Sequence, residues 1–329
     1  MLSRLPDKLA RIRRALHYKL GTEAALYDGK RPGDLILMFH NVLPVARPDI
    51  NPRNIGVHDF RKILQYLKKK FALVPVDEIF ESKSSVKRIA ITFDDGLYNN
   101  LKYASPVLQE LEIPAAIFIT TSWIHGSNIL WPDELSLLLH HHRDELSFEN
   151  RLFRREARNQ FRDVTNGEKI ETFLVRSSQQ IVEAFITSLK KATHYEPSQD
   201  FENEEVWRVM KGEEIKILAE SPLITIGSHC STHRNLTLLD PEEVLNEFVE
   251  SKNYLQQVTG KVVSSMAFPF GHYSPEIVEL ASVAGYQHLL AVDLLAAPDT
   301  MDNRLRKRLG IYNDRGVTEQ LHLINKSFS

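Results

Sequence analysis

The stretch ITFDDGLYNN, residues 91–100, places two aspartates side by side at the end of an apolar run and follows them at once with a glycine. Neighbouring carboxylates repel each other, so a chain that keeps Asp94 and Asp95 together usually has a group that neutralises one of them. The apolar run itself, RIAITF (88–93), has the length of a buried strand. We therefore expect the two acids at the end of a strand, beside a positive charge.

Two histidines follow another strand-like run in ITIGSHCSTHRNLTLLD, residues 224–240. His229 and His233 are four residues apart, and on a helical turn such positions share a face, so both imidazoles can reach one ion. Two imidazole nitrogens and one carboxylate form a familiar ligand set for zinc and leave one position open. We predict that Asp95, His229 and His233 hold a divalent cation, while Asp94 stays free as a base. An HxxxH pair alone is a weak signal, and its combination with a strand-end DDG is much stronger.

A third motif lies in SSMAFPFGHYS, residues 264–274, where an apolar strand runs into the turn Phe268–Pro269–Phe270–Gly271. In parallel α/β barrels the chemistry is assembled at the carboxyl ends of the strands. An exposed amide N–H at this turn could stabilise an oxyanion. Taken by itself, however, the motif is equally consistent with an ordinary Pro-Gly turn.

Strand-like and helix-like segments alternate on both sides of these motifs, which implies parallel pairing with right-handed crossovers. The helix predicted after Asp240 has the clearest boundaries, because Asp240 can cap it, Pro241 suits its first turn and Gly260 can close it. A second helix has Ser274, Pro275 and Gly285 in the same roles. The strands predicted are 34–40, 88–94, 115–124 and 288–292, and the helices are 58–71, 240–260 and 274–285.

Residues 126–222 break this alternation, because they are rich in charge and helical periodicity but have few strand-like runs. We interpret them as a helical insertion or cap between two strands of a barrel. The three successive histidines His140, His141 and His142 would point in different directions on a helix, so we interpret them as a solvated helix end rather than a metal site. The predicted organisation is 1–33 N-terminal helix and linker, 34–125 first part of the barrel, 126–222 insertion, 223–315 second part of the barrel, and 316–329 C-terminal tail.

The bulk composition is that of an ordinary soluble protein, with 329 residues, 43% apolar and 26% charged. A net charge of −2 excludes a global basic field for nucleic acid. Cys230 is the single cysteine, so the chain has no internal disulfide framework. No apolar run approaches the length of a membrane span, and we predict a cytoplasmic protein.

The first twenty residues form a distinct amphipathic segment with a net charge of +5, from six Lys and Arg residues and one Asp. One interpretation is a helix that lies on an anionic membrane surface, at the inner face of the membrane. The other is a helix that packs on the domain and leaves its basic face in water, and we favour this one. The apolar residues at helical spacing are Leu2, Leu5, Leu9, Ile12 and Leu16.

TFDDG (92–96), the His229–His233 pair and FPFG (268–271), in this order, resemble the successive motifs of the NodB-type polysaccharide deacetylases, carbohydrate esterase family 4. The resemblance covers roughly residues 34–125 and 223–312. It implies a distorted (β/α)7 barrel and metal-dependent removal of an acyl group from an N-acylated sugar. It also implies site roles: Asp94 as general base, Asp95, His229 and His233 as metal ligands, and the backbone N–H of Phe270 as oxyanion donor.

The sequence departs from the family pattern at three places. Cys230 stands where the family usually has Ser or Thr, and we interpret it as a packing residue. Ala267 replaces the Arg that orients the base, and the late Leu-x-His motif that supplies the general acid is absent. The last two gaps match the branch that resembles poly-N-acetylglucosamine deacetylases, where an early histidine is the acid. His40, in LILMFHNV (35–42), then takes that role, with His272 as runner-up, and Arg308 replaces the missing Arg.

The function predicted is hydrolysis of an N-acetyl group on an N-acylated glycan or a lipid-linked oligosaccharide, with zinc as the favoured metal and cobalt or nickel as alternatives. Pro269, Phe270, Tyr273 and Trp131 are the predicted sugar-binding residues. The alternative is a degenerate barrel of the same type that binds glycan without cleaving it. A haloacid-dehalogenase phosphatase fits less well, because its two acids are separated by one residue and it has no use for the histidine pair.

Overall fold

The computed structural model describes the chain in residues 5–20, 22–26, 32–81, 84–122, 126, 129–142, 145–157, 160–200, 202–313 and 315–328. Its strands are β1 Gly33–Phe39, β2 Asn41–Leu43, β3 Asn54–Gly56, β4 Ala72–Leu73, β5 Lys87–Phe93, β6 Ala115–Ile119, β7 Leu146–Phe148, β8 Arg151–Ala157, β9 Gln160–Asp163, β10 Ile224–Ser228, β11 Ser265–Ala267, β12 His288–Ala291, β13 Leu305–Lys307 and β14 Leu309–Gly310.

The helices alternate with these strands over most of the described chain. They are α1 Leu5–Leu20, α2 Val57–Lys70, α3 Val76–Glu81, α4 Ser105–Glu110, α5 Trp131–His141, α6 Ile170–Val175, α7 Gln179–Thr193, α8 Glu204–Trp207, α9 Gly212–Ala219, α10 Pro241–Thr259, α11 Pro275–Val283 and α12 Val317–Lys326.

A parallel sheet in the order β13-β12-β11-β10-β6-β5-β1-β14 forms the centre of the molecule. β13 and β14 are separated only by Arg308; β13 pairs with β12, and β14 pairs with β1. They are therefore two halves of one interrupted strand, which brings the two edges of the sheet together in a nearly closed barrel of seven strands. The predicted fold, a distorted (β/α)7 barrel, is confirmed.

Apolar side chains explain why these runs form central strands. Every residue of β5 from Arg88 to Phe93 is buried, and β6 is buried over its whole length. Strands covered on both faces are rich in Ile, Ala and Phe rather than alternating in polarity, as parallel barrel strands are. Because all these strands run in the same direction, their carboxyl ends meet at one end of the barrel, and the acidic pair follows β5 there.

The caps predicted from sequence are present on the two helices that follow the histidine pair. Asp240 accepts a hydrogen bond from the Glu243 N–H, Glu243 returns one to the Asp240 N–H, and Gly260 ends α10 with a φ of 66°. Ser274 caps α11 by accepting a hydrogen bond from the Ile277 N–H. Such caps can be predicted from the sequence because the capping side chain accepts hydrogen bonds from the first free N–H groups of the helix.

The insertion contains the helices α5, α6 and α7, in agreement with its helical periodicity. It also contains an antiparallel sheet, β7-β8-β9, that the sequence analysis did not predict. The strand β8, RLFRREA, has four charged residues in seven. These charges obscure the apolar signal of Phe153, its single phenylalanine, which is buried. Phe153 packs in a separate apolar cluster with Phe161, Leu138 and Phe185. Sheets of this kind expose one polar face to water, so they give a weak apolar signal in the sequence.

The N-terminal helix α1 packs on the domain, as we favoured, but not with the expected face. Arg14 pairs with Glu319 of α12, and the ring of Tyr18 packs against Tyr66 of α2. Leu9 and Leu16, which we expected to be covered, are exposed. The basic residues Arg11, Arg13 and Lys19 lie in water as expected, but a covered apolar face is wrong for residues 9–20. Leu2 and Arg4 lie outside the described residues.

Candidate active site

The DDG motif forms a tight left-handed turn at the end of β5. The Asp94 N–H donates a hydrogen bond to the Phe39 carbonyl of β1 at 3.0 Å, which continues the strand pairing to the barrel rim. Asp95 and Gly96 then have φ values of 75° and 72°. A Cβ on Gly96 would lie 2.8 Å from a methyl carbon of Ile119, so glycine is required both by conformation and by space. The turn holds both carboxylates, each almost fully buried, at the carboxyl end of the barrel.

Asp94 is paired with Arg308, as the sequence analysis proposed. The two guanidinium nitrogens of Arg308 contact the two carboxylate oxygens of Asp94 at 2.6 and 2.7 Å, and both side chains are buried. Arg308 occupies the break between β13 and β14, where the strand is interrupted. Burial alone would raise the pKa of Asp94, but Arg308 together with His229 and His40 outweighs it, so the pKa lies below its usual value. Asp94 is therefore an ionised carboxylate with a fixed orientation.

The structure brings Asp95, His229 and His233 together in one buried cluster. The Nε2 atoms of His229 and His233 lie 3.6 and 3.3 Å from Oδ1 of Asp95, and one potential ligand atom from each residue lies within 4.8 Å of the others. Nδ1 of His229 contacts the Ala267 carbonyl at 2.8 Å, which directs Nε2 toward the cluster. Oδ1 of Asp95 is buried without a hydrogen-bond partner in the described part of the chain. A buried acceptor of this kind, facing two imidazoles, suits a cation.

The histidine pair lies on a loop, so the helical turn that we assumed for it is wrong. Cys230 and His233 have φ values of 64° and 56°, which no α-helix accommodates. Glu247 of α10 holds this loop in place: its carboxylate accepts hydrogen bonds from the N–H groups of Ser231 and Thr232, both at 2.8 Å. The Cys230 side chain is fully buried, as expected for a packing residue. A loop that is held by Glu247 therefore brings the two histidines together, which we had attributed to a helical turn.

Replacing Glu247 by alanine is expected to weaken metal binding by roughly 10- to 100-fold, because residues that orient ligands typically contribute that much. The histidines remain, but the loop loses the carboxylate that accepts the hydrogen bonds of Ser231 and Thr232. Titration with zinc, followed by calorimetry, measures the affinity. Glu242→Ala, at an exposed position of the same helix, is the matched control and should bind zinc like the wild type. Equal affinity in the Glu247 variant would contradict this role.

His40 lies at the end of β1, close to both acids, and is buried. Asn100 donates a hydrogen bond to the His40 carbonyl at 2.7 Å, and the Asn99 side chain accepts one from the Val42 N–H at 3.1 Å. The two asparagines that end the DDGLYNN stretch therefore anchor the backbone at His40 and two residues after it, a role that sequence analysis missed.

The charge state of His40 is set mainly by its burial. Burial lowers its pKa to about 4, against the opposing effect of Asp95 and with a further lowering by Arg53. Its Nδ1 is buried without a hydrogen-bond partner among the described residues. His272, the runner-up for the acid, is half-buried, and its pKa is lowered by burial and by Arg176. His40 is thus a neutral imidazole that interacts electrostatically with both acids. His272 shows no such interaction with the acids.

The FPFG turn places Phe270 against His233 of the buried Asp95–His229–His233 cluster. Phe270 has a φ of 59° and Gly271 a φ of 72°, and a Cβ on Gly271 would lie 2.5 Å from a methyl carbon of Val292. The Phe270 ring packs edge-on against His233, with centroids 4.7 Å apart, and lies 5.6 Å from the Trp131 ring of the insertion. Both aromatic rings are partly exposed. They form an aromatic wall next to the predicted ligands.

Two of the predicted sugar-binding residues do not have an accessible ring. Tyr273 is 4% exposed, its ring stacks on Phe268, and its hydroxyl donates a hydrogen bond to Asp299 at 2.6 Å. The prediction that Tyr273 stacks on sugar is therefore wrong, because an apolar run beside a turn cannot reveal which ring faces the core. Pro269 is also buried. Phe270 and Trp131 remain as the exposed candidates.

A second ionic network reaches the site from the insertion, and the sequence analysis missed it. Arg53 contacts Oδ2 of Asp95 at 3.4 Å and Oδ1 of Asp133, on α5, at 3.1 Å. Asn51 also donates a hydrogen bond to Asp133 at 3.0 Å. Burial raises the pKa of Asp133 to about 6 despite Arg53. None of these residues belongs to a recognisable motif, so only the tertiary structure could connect them.

Two grooves meet at Trp131, between the insertion and the barrel. They have volumes of about 150 and 420 Å³, and both are lined by Trp131, Gln179 and Val182. The smaller groove also includes Phe270, and so it is continuous with the aromatic wall beside the predicted metal ligands. An extended ligand at the site would therefore find space on the insertion side.

Comparison with protein families matches residues 81–289, nearly two thirds of the chain, to the family described as polysaccharide deacetylase. No curated protein sequence gives a significant match. Among solved structures, the Streptococcus pyogenes deacetylase PplD in complex with acetate is 14% identical, with a TM-score of 0.57 over 89% of this chain and 98% of that one.

Two further solved structures share the same fold. IcaB from Ammonifex degensii is 16% identical, with a TM-score of 0.57 over 90% of this chain and 98% of its own. The putative polysaccharide deacetylase BA0330 from Bacillus anthracis is 18% identical, with a TM-score of 0.55 over 89% of this chain and 69% of its own. At such identities the likeness extends to the fold and not to the details of the site.

Proposed function

This chain belongs to the polysaccharide deacetylase family, and we propose that it is a metal-dependent hydrolase that removes an N-acetyl group from an amino sugar in a glycan or glycan precursor. The observation that carries the proposal is the buried cluster of Asp95, His229 and His233 beside the Asp94–Arg308 ion pair. Perturbed carboxylates next to a metal-type ligand set are typical of a working active site. Within this family, the chain resembles the poly-N-acetylglucosamine deacetylase branch.

The ligand set fits a divalent cation. His229 has its Nδ1 against the Ala267 carbonyl and its Nε2 toward Asp95, which is the arrangement of a zinc-binding histidine. Burial lowers the pKa of His229, so the imidazole is in the neutral form that binds metal. Two imidazoles and one carboxylate favour zinc, and cobalt and nickel also suit such a set. When bound, the cation supplies Lewis acidity to the amide carbonyl and to the attacking water.

Asp94 then acts as the base that removes a proton from the attacking water. Arg308 keeps it ionised and fixes its two oxygens, so that the lone pair that accepts the proton has a defined direction. The Phe270 N–H is the proposed donor to the oxyanion that forms as the carbonyl carbon becomes tetrahedral. The aromatic wall of Phe270 and Trp131 provides the surface on which a sugar ring can stack.

His40 completes the proton balance. Because its pKa is about 4, His40 is neutral at rest and must gain a proton before it can donate one. We propose that a proton released on the attack of water reaches His40 and passes to the sugar nitrogen as the C–N bond breaks. The water oxygen stays on the carbonyl carbon, and the products are acetate and a free amino sugar.

The test is acetate release from a panel of N-acetylated oligosaccharides, with purified protein reconstituted with zinc, cobalt or nickel. We expect metal-dependent acetate that a chelator abolishes, and none from the His229→Ala protein. Glycan binding without acetate for any metal would instead support the non-cleaving alternative. Phosphate release from sugar phosphates with magnesium alone would contradict the assignment to amide hydrolysis.

Replacing Arg308 by glutamine is expected to lower kcat by roughly tenfold or more and to change its pH dependence. Without the guanidinium, burial dominates and the pKa of Asp94 rises, so Asp94 becomes protonated at a higher pH. Activity depends on the ionised form, and the acidic limb of the kcat/KM profile therefore moves to higher pH. Initial rates across the pH range measure both effects.

Arg306 provides the matched control, since it lies two residues earlier and donates its hydrogen bonds to carbonyls of Asp302 and Leu305 instead of Asp94. Arg306→Gln should leave the acidic limb in place. Arg308→Lys retains the positive charge but not the bidentate contact. Compared with Arg308→Gln, it should restore the position of the acidic limb more fully than it restores kcat. An unshifted limb in Arg308→Gln would show that Arg308 does not control the charge of Asp94.

A further inference from the structure

The N-terminal helix α1 exposes a continuous apolar stripe. Leu9, Ile12, Leu16 and Leu20 are 64%, 58%, 55% and 64% exposed. Spacings of three and four residues put them on one side of the helix, one turn after another. Single exposed apolar residues are ordinary on a protein surface, but an aligned stripe marks an interaction site.

The opposite side of α1 is held by the domain, so the stripe cannot simply turn inward. Both the Nε and the Nη2 atoms of Arg14 contact the carboxylate of Glu319, at 3.0 and 2.8 Å. Further along the helix, the Tyr18 hydroxyl accepts a hydrogen bond from Asn325 at 3.1 Å, and its ring lies 5.7 Å from that of Tyr66. These contacts engage the polar side of the helix and fix the apolar side toward solvent.

Cations border the stripe on both sides. At 100° per residue, Arg13 projects beside Leu9 and Leu20 along one border, and Lys19 projects beside Ile12 along the other. Both are exposed, and so is Arg11. No acidic residue occurs between Leu9 and Leu20. Long basic side chains next to an apolar strip can place their charges among lipid headgroups while the strip enters the acyl boundary.

We propose that α1 is a docking surface for an anionic lipid bilayer, on which the helix lies in the plane of the interface. A second copy of the chain is the less suitable occupant, because pairing two such stripes would bring their flanking cations together without an acid to neutralise them. In the part of the chain that the structure describes, no helix has the length and apolarity to cross a membrane. The association that we propose does not depend on the proposed chemistry.

Co-sedimentation of the full chain with vesicles tests this docking surface. One set of vesicles contains phosphatidylglycerol and phosphatidylcholine, and the other contains phosphatidylcholine alone. We expect binding to the anionic vesicles, weaker binding to the neutral ones, and release at high salt, because screening weakens the attraction of the cations. The catalytic site is not involved, so a failure of deacetylation would leave this result unaffected.

Two pairs of substitutions separate the apolar and the charged contributions. Ile12→Asp with Leu16→Asp should weaken binding to anionic vesicles by roughly tenfold or more, since each side chain loses its favourable burial. Arg13→Glu with Lys19→Glu should weaken it by roughly fivefold or more for each cation. Val262→Asp is the matched control, at an apolar side chain 83% exposed elsewhere on the surface, and should bind like the wild type.

Three results would overturn the proposal. The wild-type protein could stay in the supernatant with anionic vesicles at low salt. The Ile12→Asp, Leu16→Asp protein could bind as well as the wild type while its circular dichroism shows that it is folded. Analytical ultracentrifugation could reveal a dimer that the same substitutions abolish, without vesicle binding, and that would assign the stripe to a second copy. If the aspartate pair does not fold, the charge-reversal pair still provides the comparison.

Discussion

Replacing either His229 or His233 by alanine is expected to remove the bound metal and to lower turnover by roughly a thousandfold or more. The loss of several kcal/mol of charge stabilisation in the transition state corresponds to that scale. Each variant leaves two of the three ligands and also leaves the Asp95 carboxylate buried, where Oδ1 has no other partner among the described residues. Elemental analysis of the purified proteins measures the metal, and acetate release measures turnover.

Exposed His58, on α2, supplies the control for this experiment, because it lies outside the cluster. His58→Ala should retain both metal and turnover. The thermal unfolding of all three variants with and without added zinc adds a second measurement. The wild type and His58→Ala should be stabilised by zinc, since a ligand that binds only the folded state raises its stability, and the two ligand variants should not. Wild-type metal content in both ligand variants would refute the ligand assignment.

The parts of the site that follow strands directly could be predicted from the sequence. Asp94, Asp95 and His40 each come at the end of a buried apolar run, and parallel strands bring their carboxyl ends to one end of the barrel. Arg308 could be predicted from a missing residue, since Ala267 stands where the resemblance requires an arginine and another arginine must replace it. Its position between β13 and β14 then puts it in contact with Asp94.

Other parts of the site depend on contacts that no local pattern contains. Glu247 reaches the histidine loop from α10, and it is 15 and 16 positions away from its partners in the sequence. Arg53 and Asp133 are 80 residues apart and meet only because the insertion packs on the barrel rim. The helical turn assumed for the histidine pair was wrong for the same reason, because a spacing of four is compatible with helix and loop alike.

The N-terminal helix shows a different limit of sequence periodicity. The apolar spacing of Leu9, Ile12 and Leu16 correctly predicts a helix with one apolar side, but a periodic pattern does not say which side is covered. In a single domain the default assumption is that the apolar side packs on the core. Here Arg14 and Tyr18 make the contacts with the domain instead. The outward stripe is therefore the observation on which the proposed membrane docking of this segment rests.

The insertion is coupled to the chemistry through Arg53, which contacts both Asp95 and Asp133. A guanidinium beside a metal-binding carboxylate offsets part of its negative charge and limits the directions in which its oxygens can point. The same helix, α5, begins with Trp131, whose ring completes the aromatic wall with Phe270. The helix that lines the proposed sugar-binding grooves is thus also connected, through Arg53, to the proposed metal ligand Asp95. A change in its position would affect both.

The assignment of His40 as the proton donor rests on its position and on the chemistry of amide cleavage. Expelling an amine requires that the nitrogen be protonated, and a general acid or base typically contributes about 10² to 10⁴ in rate. His40 is buried at the end of β1 and is coupled electrostatically to Asp95 and Asp94, while His272 is coupled to Arg176. Asn100 holds the backbone of His40, so the end of β1 should keep its position when the imidazole is removed.

His40→Ala should therefore retain its fold and its metal but lose turnover by about 10² to 10⁴. His272→Ala should lose distinctly less, and it serves as the matched control because both residues follow strand ends on the same rim. An acetylated substrate with a good leaving group needs no protonation, so the His40 variant should process it at nearly the wild-type rate. This selective recovery separates proton donation from a structural role, in which both substrates would suffer equally. Full turnover in His40→Ala together with an inactive His272→Ala would transfer the acid role to His272.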